Sequence, residues 1–457
     1  MRAHRVFLIM VIVGLFLSCG LFNRSNQRGE VTGIRSQKIK LERPFGMTYI
    51  KGGSFNIGTA DYGMIELGDF NPRTVSVSSF FIDQTEITNG QYMQFVRWVR
   101  DSVARDMLAR QVQELGADSQ SDGIGQFAYQ NFSDTESLTE YQQYMIEQYG
   151  QDFPGSSQIN WDAPLTWDFN AYPDQYYAQV MDSFYIHPSK WIKGVPKLDV
   201  KKFKYRYISS QQDQPSVDTN VPNSFLNYEP FISEKVIEIY PDTTVWVKDF
   251  FYSYNDPMHN NYFWHPAYTD YPVVGVNWHQ ANAFCIWRTQ IKNSYNLSRG
   301  ELTVPQFRLP TEVEWEFAAR GGSQNGIYPW GSNELTNRRN QFLANFKPDR
   351  GDYKADQVLY TAPVKSYLPN GYNLYNMAGN VAEWTSTPYV WNNAEYIPSL
   401  NPNINEMKDD RKVIKGGSWK DVGYYLRISS RDFEYAQSAR SFIGFRTVQD
   451  VPQNEPF

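Results

Sequence analysis

The sequence predicts an α+β fold that is irregular and rich in loops, and three observations carry that reading. Short apolar-alternating runs near the start are strand-like, two later segments carry helical periodicity with capping residues, and beyond Gly322 the segments are short and bounded by Gly, Pro and Asn. Residues 47–58 alternate about Gly52-Gly53 and read as two short strands and a turn, and residues 74–77 and 80–83 read as further strands. Thr88 is then the expected N-cap of a helix with Tyr92, Phe95, Val96 and Val99 on one face. From about 100 to 270 periodicity is weak: 105–115 and 136–149 look helical, and 235–239 and 243–247 look like strands. Trp161, Trp167, Trp191, Trp246 and Trp264 in that stretch call for packing partners and argue against a linker. Residues 277–292 read as an amphipathic helix marked by Ala281, Phe284, Cys285 and Trp287. In 311–320, Thr311 as N-cap and Glu314 at the third position form a capping box, closed by Gly321-Gly322.

Composition narrows the function. At 457 residues, 41% apolar and 16% aromatic, the chain can build a large core, and disorder throughout is excluded. With 43 basic and 49 acidic residues the net charge is -6, so no general positive field awaits a phosphate backbone and no nucleic-acid partner is expected. No repeat suggests a solenoid or propeller. Arg2, His4 and Arg5 precede an apolar run from Val6 to Leu17, too short for a spanning helix of about 20 residues but fitting an export signal. That run ends at Leu17-Ser18-Cys19-Gly20, which resembles a bacterial lipobox although Phe16 departs from its usual aliphatic residue. The expected organisation is a signal peptide over 1–18, lipidation at Cys19, a polar tether over 19–46, a domain over 47–448 with 100–270 as a long insertion, and a tail over 449–457. Two acyl chains or more would hold such a chain on a membrane outside the cytoplasm. Cys285 would then be the one cysteine left, so no intrachain disulfide is expected.

A series of short motifs follows in order: Gly52-Gly53-Ser54-Phe55; Glu86-Ile87-Thr88-Asn89; Pro272 to Trp278; Arg308-Leu309-Pro310-Thr311-Glu312; Tyr328-Pro329-Trp330-Gly331. Pro369-Asn370-Gly371-Tyr372, Met377-Ala378-Gly379-Asn380-Val381 with Glu383-Trp384, Gly416-Gly417-Ser418-Trp419 and Gly444-Phe445-Arg446 complete it. Each is weak alone; together and in this order the sequence resembles the formylglycine-generating enzyme (sulfatase-modifying factor) family. The resemblance implies a loop-held, C-type-lectin-like architecture. It also implies an oxidation of substrate cysteine by a cysteine pair acting through copper, placed just after Gly416-Gly417-Ser418-Trp419. Residues 420–431 contain no cysteine, and Asp421 stands where the first would be. A monovalent copper site needs soft sulfur ligands, so no copper and no enzyme are expected. Cys285 reads as a buried, inert thiol.

The resemblance further implies two structural calcium sites. One takes the side chains of Asn376 and Glu383 with the carbonyls of Gly379 and Val381; the other takes the side chains of Asn345 and Asp356 with the carbonyls of Phe346 and Val358. All are hard oxygen donors, as calcium requires, and the competing reading is loops closed by hydrogen bonds alone. The lipobox, the long insertion and the aromatic content together resemble the gliding-motility lipoproteins of the type IX secretion machinery. That likeness implies a lipid-anchored ring component at the periplasmic face of the outer membrane, self-associating and bound to a GldN/PorN-like periplasmic ring protein. Alternatives are another role among those lipoproteins, an oxidoreductase of the formylglycine-generating type, and a calcium-dependent ligand-binding module. His259, His265 and His279 have no zinc-site spacing, and Ser418 lacks the Gly-x-Ser-x-Gly of a hydrolase elbow. Glu312, Glu314 and Glu316 are expected to cap and to pair, Glu316 with Arg320, and Arg427, Arg431, Arg440 and Arg446 to fix loops by bidentate bonds.

Overall fold

The computed structural model describes residues 42–58, 73–115, 124–128, 160–191, 194–210, 232–249, 256–323, 326–348, 355–356, 358–390, 398–403 and 410–451. The export signal, Cys19, most of the tether and the 136–149 helix expectation lie outside them. Strands β1 (Met47–Ile50), β2 (Gly53–Ile57), β3 (Arg73–Val77) and β4 (Phe80–Asp83) fall where the alternation put them. They do not form one sheet. β1 runs antiparallel to β4 from Met47 opposite Asp83 to Ile50 opposite Phe80, while β2 pairs with β3.

Further along come β5 (Lys204–Ser210), β6 (Ile232–Glu238), β7 (Phe307–Arg308), β8 (Ala382–Pro388), β9 (Arg411–Lys415), β10 (Asp432–Tyr435), β11 (Ile443–Gly444) and β12 (Val448–Asp450). The near-terminal β12 returns to lie between β4 and β7, giving a four-stranded sheet in the order β1-β4-β12-β7. A second sheet has the order β10-β9-β8-β11, with β11 parallel to β8. The fold is therefore mixed α and β, with much of the later chain in loops.

Helix α1 (Asn89–Leu115) is capped by Thr88, whose hydroxyl accepts from Gln91 N–H at 3.2 Å while the Gln91 side chain accepts from Thr88 N–H at 2.9 Å. The two helical stretches read at 88–99 and 105–115 are this one helix, which crosses residue 100 unbroken. The stretch that follows is tied to it: Arg105 donates to the carbonyls of Phe127 and Ala163 at 2.8 and 2.6 Å, and Trp167 Nε1 donates to Asp101 at 3.2 Å. Helix α2 (Gln175–Asp182) and strand β5 were not legible in the weak pattern there. Residues 243–247 are corrected from strand to the start of helix α3 (Val245–Asp249). The β-branched run misleads because Asp242 accepts from both the N–H and hydroxyl of Thr244, at 2.9 and 2.6 Å, and turns the chain into a helix.

Helix α4 (Trp278–Ser298) has the Asn277 cap and a capping box with Gln280, and runs past the expected end at residue 292. Its polar last turns are held by tertiary bonds: Asn293 accepts from Val304 N–H at 2.7 Å and Asn296 donates to Leu302 O at 2.8 Å. Helix α5 (Glu312–Ala319) forms the capping box read from the sequence, and its Val313, Trp315 and Ala318 pack with Ile50, Ile57, Val75 and Ile82 in the core. Thr311→Ala removes the acceptor for Glu314 N–H and is expected to cost about 1 kcal/mol in urea unfolding, with Thr311→Ser close to the parent. Equal stability of the alanine variant would show that the cap contributes nothing.

Candidate functional site

Where the resemblance places the oxidising cysteine pair, the chain leaves β9 through Gly416 and Gly417, both at positive φ (92° and 64°). A side chain on Gly417 would meet the Tyr425 carbonyl at 2.9 Å, so only glycine allows this fold-back. It brings Ser418 Oγ to 2.6 Å from Asp421 Oδ2, while Asp421 N–H donates to Ser418 O at 2.9 Å and the Asp421 carbonyl accepts from Lys347 N–H at 2.9 Å. Burial pushes the Asp421 carboxyl above the usual range, opposed by the Ser418 hydrogen bond and by Lys420. Beside it lies a cavity of about 10 Å³ lined by Gly416, Gly417, Asp421, Tyr425, Arg431 and Asp432. That is room for one water and none for a peptide thiol.

Cys285 is fully buried on α4, and burial raises its thiol well above the ordinary range despite Arg288 nearby. A buried thiol that stays protonated is a poor nucleophile and a poor metal ligand. The histidines serve separate local roles: His265 accepts from Ala267 N–H at 3.1 Å, His279 meets Gln437 at 3.0 Å, and buried His259 stacks on Trp246 with centroids 4.9 Å apart. Among the described residues no three His, Cys, Asp or Glu side chains cluster as a metal site would require.

The two loops read as calcium sites are built against each other. Gly379 (φ 78°) is pressed so closely on the Asn345 carbonyl that a Cβ would lie 2.3 Å from it, and Asn380 N–H donates to that same carbonyl at 2.8 Å. Asn376 and Asn380 also take positive φ, 51° and 63°, a conformation that asparagine tolerates. Asn345 donates its amide nitrogen to Tyr360 O at 2.7 Å and to Asn380 Oδ1 at 3.2 Å, which leaves its own Oδ1 buried without a hydrogen-bond partner. Asp356, buried in the same loop, accepts from Phe346 N–H at 2.9 Å and Val358 N–H at 3.2 Å. The unpartnered Oδ1 of Asn345 is a hard oxygen donor, as are the Asp356 carboxylate and the Phe346 and Val358 carbonyls, so the donor set Asn345, Phe346, Asp356 and Val358 fits calcium in kind.

The set Asn376, Gly379, Val381 and Glu383 fits less well. Both oxygens of buried Glu383 are taken by Arg446, at 2.7 Å from Nε and 2.6 Å from Nη2, and Trp315 Nε1 adds a third donor at 2.7 Å. The Asn376 amide nitrogen is given to Glu86 and to Val364 O, each at 3.1 Å. A cation there would have to draw Glu383 away from its guanidinium.

Glu86, to which the motif reading assigned no role, completes a buried ionic centre. Its carboxyl accepts from Asn380 at 2.9 Å as well as from Asn376, from a segment 294 residues further along the chain. Burial pushes it up to about 8, with Arg446 opposing and Glu383 adding to the rise. Asp83 sits alongside, held by Arg288 at 2.9 Å and by the Thr447 N–H and hydroxyl at 3.0 and 2.7 Å. Arg446 is bidentate to Glu383 and Arg431 to Glu312, as the arginine reading expects, whereas Arg440 gives Glu434 one bond at 2.6 Å and Arg427 packs over the Tyr424 ring. Glu316 pairs with Arg320 at 2.8 Å as expected and also with buried Lys415 at 3.3 Å.

The sequence model of the sulfatase-modifying factor enzyme 1-like domain matches residues 35–166 and 219–451, so the chain belongs to the sulfatase-modifying factor family. It is 37% identical over 190 residues to the formylglycine-generating enzyme of Bos taurus, covering 40% of this chain and 44% of that one. It is 34% identical over 183 residues to the inactive C-alpha-formylglycine-generating enzyme 2 of Bos taurus, covering 39% and 50%. The chain thus spans about half the length of the curated relatives it matches. Among solved structures, PvdO from Pseudomonas aeruginosa aligns over 89% of this chain and 94% of its own at 16% identity, with a TM-score of 0.44, too loose a likeness to carry an argument. Relatives therefore include both active and inactive proteins, and a non-catalytic member of the family is consistent with both sets.

Proposed function

We propose that this chain is a non-catalytic structural lipoprotein, held on the periplasmic face of the outer membrane through Cys19, that works as a ring component of the type IX secretion and gliding-motility machinery. Its role is that of GldK (PorK), self-associating in a ring and binding a GldN/PorN-like periplasmic ring protein. The observation that carries the non-catalytic half is Asp421, locked to Ser418 beside a cavity with room for one water, where the family's enzymes keep a cysteine. The lipobox and the aromatic-rich region between 100 and 270 support the assembly half. No helix among the described residues is long and apolar enough to cross a membrane.

The test is purification of the full chain from envelopes in mild detergent, with electron microscopy of the eluate. Ring-shaped particles holding one main partner are expected; a free monomer overturns the assembly role. Oxygen consumption or conversion of a peptide cysteine by the protein supplied with copper overturns the non-catalytic reading.

Calcium is proposed as a structural ion, with Asn345 and Asp356 as its side-chain ligands and the carbonyls of Phe346 and Val358 completing the set. Calcium at about 100 times its dissociation constant is expected to add about 2.7 kcal/mol to stability in urea, reversed by chelator. In Asn345→Ala that increment should disappear, and an unchanged increment would move the ion to another site.

A further inference from the structure

A groove of about 1170 Å³ opens between α1, the end of α4 and the β5–β6 hairpin, outside the ionic centre and the calcium loops. Its walls expose large apolar side chains that a monomer has no use for: Trp161 is 40% exposed, Val236 50% and Leu297 63%. Trp161 is held ready, stacked on Trp98 at 5.3 Å between centroids and covered on one side by Arg105. Four cations line the same groove, Arg110, Lys202, Lys204 and Arg206, against one acid, Asp106. On a chain of net charge -6 this is a local reversal of sign. All four cations already have partners: Lys202 donates to the Ser183 carbonyl, and Arg110, Lys204 and Arg206 pair with Asp106, Glu238 and Glu234 at 2.8, 3.6 and 2.9 Å. All three pairs are solvent-exposed, worth at most about 1 kcal/mol each, and so are easily shared with an incoming anion.

The hairpin sets this polarity. Across it Lys204 stands opposite Glu238 and Ile208 opposite Glu234, while Arg206 reaches diagonally to Glu234. The cations are thus on β5, lining the groove, and the acids on β6. Tyr205 and Tyr207, on the other face of β5, are buried, and Tyr205 bonds Gln290 of α4 at 2.8 Å, fixing the hairpin in place.

We propose that this groove is the docking site for an acidic peptide segment of a partner protein, one that presents large apolar side chains to Trp161 and Leu297 and carboxylates to the β5 edge. Charge complementarity selects the occupant: an apolar floor alone would accept many segments, and the cationic wall rejects basic ones. The inference rests on the proposed scaffolding role and gives it a surface.

The test uses the full chain in detergent and a short fluorescent peptide alternating glutamate with leucine and tryptophan. The quadruple variant Lys204→Glu, Arg206→Glu, Glu234→Lys and Glu238→Lys keeps oppositely charged residues across the hairpin and the net charge but reverses the β5 edge. Binding to the parent, weakened about tenfold or more in the variant and regained there by the lysine version of the peptide, is expected. Equal binding by parent and variant, or binding only to vesicles of phosphatidylglycerol, overturns the proposal. Because this readout needs no partner, peptide binding with the expected charge dependence upholds the groove even if no ring is recovered, in which case the scaffolding role alone fails. Leu297→Ala, 63% exposed on the groove surface, is a second variant and should also weaken the peptide while leaving the melting transition near the parent's.

Discussion

Arg446→Met is expected to destabilise the protein by about 3–5 kcal/mol, because it strands a buried carboxylate. Arg446 is fully buried, and its guanidinium satisfies both oxygens of Glu383 while donating to Asp83 O at 3.1 Å and Tyr375 O at 2.9 Å. Those contacts join β4, the loop before Asn376 and β8, so the loss is spread over the first sheet, the second sheet and the loop between them. In the variant Glu383 keeps only the Trp315 N–H, and Glu86 loses the one charge that lowers its carboxyl. Glu383→Leu alone should be as harmful, since it leaves the buried guanidinium without the carboxylate it is bonded to. The double variant should recover most of the loss, because removing both charges removes the desolvation cost with them. Urea unfolding of both singles and the double decides it. A single-variant cost below about 1 kcal/mol, the size of an exposed pair, would mean that water reaches the site.

What the sequence disclosed and what it hid divide along the range of the forces involved. The N-cap at Thr88 and the capping box at Thr311 are local: acceptor and donor sit three residues apart, and the pattern is visible without a fold. The strands at 53–57 and 73–77 show because alternate residues are buried, and the one at 80–83 because it is an apolar run buried on both faces. The Thr243 to Val247 run misled because β-branched residues favour strands only when a neighbouring strand is there to meet them, and Asp242 offered a turn instead. At the site, the motif order located the loops and their oxygen donors, and the missing cysteine at 421 could be read directly. It could not show that Glu383 belongs to Arg446, or that Glu86 meets Asn376 and Asn380, 290 and 294 residues away, since no spacing rule links residues so far apart. The groove is of the same kind: Trp161 asks for a packing partner in the sequence but does not say which, and it shares a surface with Val236 and Leu297 only after α1, α4 and the hairpin have packed.

Glu86→Gln is expected to remove a pH dependence and to invert the order of stability between acid and alkaline conditions. In the unfolded chain Glu86 titrates near 4.5, and in the folded chain near 8. Between those values the folded protein holds a proton that the unfolded chain has released, so its stability falls as pH rises, by up to about 1.4 kcal/mol per unit. Below the lower value both states are protonated and the contribution is fully present; above the higher value both are ionised and it has been lost. Glutamine stays neutral throughout, so the variant's curve should lack this slope. At about pH 5 the variant should be the less stable by about 1 kcal/mol, because an amide offers the two asparagines one acceptor where the carboxyl offers two. At about pH 9 it should be the more stable, because the parent then buries two carboxylates against one guanidinium. Urea unfolding across that range in chelator tests this, and parallel curves would refute it. Repeating the parent's series in calcium separates the two loops. An ion held through Asn376 and Glu383 would lie beside Glu86 and flatten the slope by favouring its ionised form, whereas an ion held through Asn345 and Asp356 would raise the whole curve and leave the slope in place.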